Sequence, residues 1–169
     1  RWEHYLPFIA LALEHELPVI AANVSRDDAR AAMRDGLAAH GFDATVPDDL
    51  LAVLAAQIEA SHCGMLDATT ARRMALAQVA RDQFMARVLE AHAGRGVVLL
   101  AGNGHVRTDV GVPRWLSAGL RSRSLSVGML EEGDTTAAFD RRVFTAPQPR
   151  PDPCASFRIG LQRSGSRVA

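Results

Sequence analysis

The stretch GVVLLAGNGHVRTDVGVP, residues 96–113, decides how this chain is read. Its first half is a continuous apolar run, the pattern of a parallel strand covered on both faces, so a strand is expected over 96–102. The run then breaks into Gly102, Asn103, Gly104 and His105. In open α/β sheets ligands bind where strands end, and glycines there allow close approach of a ligand to the backbone. His105 can act as a metal ligand, a haem ligand or a proton carrier. Arg107 and Asp109 follow on the next turn. The plainer reading is a tight turn in which His105 hydrogen-bonds Asp109.

Working outward, the spacing of Leu6, Ile9, Leu13 and Leu17 predicts a helix over 2–16 with Pro7 in its first turn. LPVIAANV (17–24) reads as a buried strand. Ser25 followed by Asp28 is a helix N-cap pattern, so a helix is expected from 26 to Gly36. A second runs from Asp48 to about Ala60, and the longest from Thr69 to Ala93. A short helix should follow Pro113, and SLSVGML (124–130) and RRVFTA (141–146) are further strands. Helices alternating with apolar strands define an α/β class with a mostly parallel central sheet flanked by helices. One domain over 1–160 is expected, with 161–169 a disordered tail.

Composition excludes several functions. The 169 residues carry 19 basic and 19 acidic side chains, so nothing in the charge balance indicates a nucleic-acid or polybasic membrane surface. Every basic residue is Arg, which removes Schiff-base and P-loop lysine chemistry from this chain. Glu14, His15 and Glu16 interrupt the first apolar segment, so it is not a membrane span. Cys63 and Cys154 are two buried thiols or one long-range disulfide; spacing alone does not choose.

Two further clusters could carry chemistry. In ASHCGML (60–66), His62 either faces a ligand or sits at the negative end of a helix stopped by Gly64. In QVARDQFMA (78–86), Gln78, Arg81, Asp82 and Met85 share one helix face. Two charges, an amide and a soft apolar group suit either a site or the exposed edge of the core. Tyr5, the single tyrosine, is either packing with a wet tip or a ligand for haem iron.

WEHYLP, LPVIAANVSR, SHCGM, QVARDQFMA, VVLLAGNGHVRTDVGVP and PDPCASFR occur in this order across nearly the whole chain. Together they resemble the ChaN family of haem-binding lipoproteins, in a superfamily with the Tiki proteases and erythromycin esterase. The resemblance implies a largely parallel sheet with surrounding helices, a bacterial cell-envelope location with a lipid anchor, and a role in haem or iron uptake. Gly102 and His105 match the superfamily's Gly-x-x-His pattern, His62 falls in its pocket region, and Arg81 and Asp82 match its Arg-Asp pair. The family's N-terminal strand and Gly-Glu-x-x-His-like motif have no counterpart here, so the chain reads as the C-terminal two-thirds of that fold. An envelope location also implies a Cys63–Cys154 disulfide, because such bonds persist in oxidising compartments.

Two functions follow from the resemblance. A haem-binding protein would draw axial ligands from His105, His62 and Tyr5. Its polar and propionate contacts would come from Arg81, Arg107 and Asn103. Its partners would be haem, a second copy of the chain, and a haem-uptake receptor or transporter. A metal-dependent protease or esterase would instead hold a divalent ion with His105, His62, Asp82 and Asp109.

Overall fold

A computed structural model describes residues 2–135 and 138–155; the tail expected to be disordered lies outside them. Among the described residues there are six α-helices and two strands. The helices are α1 (Leu6–Glu14), α2 (Arg26–Asp35), α3 (Asp48–Ser61), α4 (Ala68–His92), α5 (Asn103–Val106) and α6 (Ala118–Arg121). The strands are β1 (Val127–Glu131) and β2 (Arg141–Thr145). The class is α/β, with helices beside a parallel sheet.

Helix boundaries follow local chemistry. The Ser25 side chain accepts from the Asp28 backbone N–H, and Gly36 closes α2 at φ 86°, a left-handed value suited to glycine. Asp67 caps α4 by accepting from the Thr70 N–H at 2.9 Å, two residues before the expected start. α3 and α4 pack across the short turn 62–67. Leu50, Leu51 and Leu54 meet Ala75, Val79 and Ala80 there, with Ala32 of α2 beneath. Alanines on α4 let three helices approach closely. A second cluster forms further along α4, where Met85 and Ala86 meet Val112 and Leu116. Trp115 touches both clusters. α1 forms as its spacing predicts but buries none of its residues.

Two of the expected strands do not form. Residues 17–24 and 96–102 have no ladder partner among the described residues. They pack by one face only: Ala22, Leu99 and Ala101 lie against the second cluster, while Val98 is 93% exposed and Val19 59%. An apolar run encodes burial, but a strand also requires a neighbour whose N–H and C=O groups match its own. The two later strands do form, paired in parallel from Val127↔Arg141 to Glu131↔Thr145. Only residues 132–140 connect them, fewer than a helical crossover needs. Phe139 from that connection lies over Gly128, where a Cβ would stand 2.4 Å from the ring.

Cys63 and Cys154 form a disulfide with a Cα–Cα distance of 5.6 Å, joining the end of α3 to the segment after β2.

Candidate functional site

The GNGH motif forms the short helix α5, with Gly102 at its N-cap. Three contacts fix it. Asn103 donates from Nδ2 to the Met129 carbonyl at 2.5 Å, and its Oδ1 accepts from the Met129 N–H at 3.2 Å. The carboxamide thus imitates a strand neighbour on β1. Ser126 donates from Oγ to the Val106 carbonyl. Gly111 lies against the motif's backbone, where a Cβ would meet the His105 carbonyl oxygen at 2.3 Å. The loop can close this tightly only with glycine at 111.

So held, α5 turns His105 toward α4. His105 Nδ1 is 2.5 Å from Asp82 Oδ1, and Gln78 Nε2 is 2.9 Å from Nδ1 and 3.3 Å from Nε2. Asp82 is fully buried, and its Oδ2 has no hydrogen-bond partner among the described residues. Burial pushes its carboxyl up to about 6, against the opposing pull of His105 and then Arg81. An ionised carboxylate accepts only, so the His105 nitrogen that faces Asp82, Nδ1, is the donor of that hydrogen bond. The Gln78 amide nitrogen lies against the same ring, nearer Nδ1 than Nε2. A carboxylate behind an imidazole fixes its tautomer and raises its basicity toward a metal or a proton. Arg81, one residue before Asp82, is half-buried and makes no hydrogen bond or ion pair with a described residue.

The other expected site residues are engaged elsewhere. His62 is the C-cap of α3, and its Nδ1 donates to the Ile58 carbonyl at 2.7 Å. Asp82 lies about 21 Å along α4 from the end near His62. Arg107 grips Asp109 with both prongs, Nε to Oδ1 at 2.8 Å and Nη2 to Oδ2 at 2.5 Å. That pairing lowers the Asp109 pKa and raises that of Arg107. The plain reading of a His105–Asp109 turn therefore has the wrong partner: Asp109 goes to Arg107, and His105 to Asp82. Tyr5 is the N-cap of α1 and 44% exposed. Among the described residues no group of three His, Cys, Asp or Glu side chains comes together at metal-binding distance. The donor set for a divalent ion is therefore not assembled by this part of the chain.

Local reading missed several supports. Ser126 carries no motif, and Gly111, though inside the 96–113 stretch, was given no role there. Gln83, buried on α4, clamps the 42–46 loop by pairing with both the N–H and the C=O of Asp43. The buried Trp115 Nε1 has no partner among the described residues.

The site thus consists of an imidazole held by a buried carboxylate, with a guanidinium that has no hydrogen-bond or ion-pair partner among the described residues next to it in sequence, in a domain of the α/β class. Residues 1–116 match the family described as haem-binding uptake, Tiki superfamily, ChaN, and the chain belongs to that family. No curated protein and no solved structure gives a significant match.

Proposed function

We propose that this protein binds haem for uptake, with His105 as the protein's iron ligand. The observation that carries the reading is the His105–Asp82 pair, in which a fully buried carboxylate, one oxygen of which has no partner among the described residues, backs an imidazole that is 19% exposed. Bound haem would supply a Lewis-acidic iron and two anionic carboxylates. Toward it, His105 offers the Nε2 lone pair. Asp82 holds the Nδ1 proton and so the ring's orientation. Arg81 offers a charge with no described partner, which suits a propionate.

The hydrolase alternative is less well supported: Asp109 is committed to Arg107 and His62 to the end of α3. We further propose a location at the bacterial cell envelope with a lipid anchor, and as partners a second copy of the chain and a haem-uptake receptor or transporter; the family resemblance motivates these proposals. Among the described residues no helix is long and apolar enough to cross a membrane. Haem titration of the purified protein beside metal analysis of the same sample tests the reading. Stoichiometric haem uptake is expected. Tight divalent metal without haem uptake would replace binding with hydrolysis.

A further inference from the structure

α1 reads LPFIALALE, and every side chain before Glu14 is apolar. A helix apolar on all sides belongs in a protein interior, yet no residue of α1 is buried. Leu6, Phe8, Leu11 and Leu13 are each at least 48% exposed. A second apolar surface lies bare in the same chain. Leu17, Val19 and Ile20, in the segment after α1, and Val97, Val98 and Leu100, ahead of the GNGH motif, are all exposed. These two segments adjoin, because Ala22, Leu99 and Ala101 pack on the same cluster around Met85. Residues 6–13, 17–22 and 97–102 contain no charged side chain.

Within one copy α1 does not cover that second surface. The turn after the helix is tight: the Leu17 N–H donates to the Ala12 carbonyl at 2.7 Å, and Glu16 takes a left-handed φ of 52°. The helix so held leaves both surfaces open. Together they present on the order of 1,000 Å² of apolar area, above the few hundred Å² usual for a monomer and the ~800 Å² that each partner gives a standard interface. We infer that two copies of this chain pair about a two-fold axis, with α1 of each lying on the 17–20 and 97–100 surface of the other. An isologous pair closes all of this area at once, because each copy brings one helix and one receiving face. The lack of charge favours a second copy in particular, since identical charged faces would repel and these do not. The inference rests on the proposed self-association and not on what His105 binds.

Light scattering and thiol cross-linking of the full chain, without haem, test it separately from the haem reading. The wild type should elute at twice its 18.2 kDa chain mass. Val98→Asp should raise the dimer dissociation constant at least tenfold with an unchanged far-UV circular dichroism spectrum. Cys63 and Cys154 are bonded to each other, so an introduced cysteine is the free thiol. Mixing Leu11→Cys with Val98→Cys under mild oxidation should give a linked pair, at least fivefold more than either variant alone, with the bond between residues 11 and 98 in peptide mass spectra. A monomeric wild type would overturn the pairing. So would equal cross-linking in the single variants, which would set like surfaces against each other. An 11–98 bond formed inside one chain of the double variant would also overturn it, because α1 would then cover its own copy.

Discussion

Replacing Asp82 by Asn should stabilise the protein at neutral pH while weakening its site. The rise of the Asp82 pKa from 3.8 to about 6, at ~1.4 kcal/mol per unit, makes its ionised form cost ~3 kcal/mol. The sign follows from the direction. The folded state binds the proton more tightly than the unfolded chain, so the stabilisation is full below 3.8 and is lost as pH rises through about 6. Asp82→Asn is neutral at every pH and keeps an oxygen for the His105 Nδ1–H. It also places an amide N–H where Oδ2 now has no partner among the described residues, a penalty of ~1 kcal/mol. The net expectation is a gain of ~2 kcal/mol at pH 7.5, turning to a loss of ~1 kcal/mol near pH 4. Urea unfolding followed by circular dichroism, for wild type and variant at both pH values, measures the difference. A variant equally destabilised at both would refute the reasoning, because the pairing with His105 would then outweigh the burial of the charge.

Other outcomes follow from the supports of the motif. Gly111→Ala drives a Cβ into the His105 carbonyl and should cost about 2 kcal/mol, a fall of about 4–8 °C in Tm by calorimetry. Asn103→Ala removes the two bonds to Met129 and should cost about 1 kcal/mol in a urea titration. Because the Asn103 carboxamide is spent on β1, the absorption band of bound haem should not move in that variant.

Where the sequence was legible, the cause was local. The Ser25 cap, the Gly36 stop and the shared face of Gln78, Arg81 and Asp82 all depend on residues three or four apart, and spacing within one helix reveals them. The segments 17–24 and 96–102 were misread because their apolar content reports a covered face and says nothing about a partner strand. The Gly-x-x-His pattern pointed to His105, but what orients that ring comes from Asp82, 23 residues earlier in the chain. The Asn103 side chain reaches Met129, 26 residues away. The clamp of Gln83 on Asp43 spans 40 residues. Such pairings are set by packing and leave no local signal. Asp109 sits closer in sequence to His105 than Asp82 does, but the bidentate fork of Arg107 at two residues' distance claims it.

The most direct measurement is a haem titration of wild type, His105→Ala and Arg81→Ala, followed at the Soret band. If His105 ligates the iron, His105→Ala should shift the band and weaken binding tenfold or more, about 1.4 kcal/mol. Arg81→Ala should weaken binding without moving the band, because a contact to a propionate leaves the iron's ligand field alone. A His105→Ala protein that keeps both the wild-type band and the wild-type affinity would contradict haem ligation by His105 and leave the GNGH motif as a structural turn.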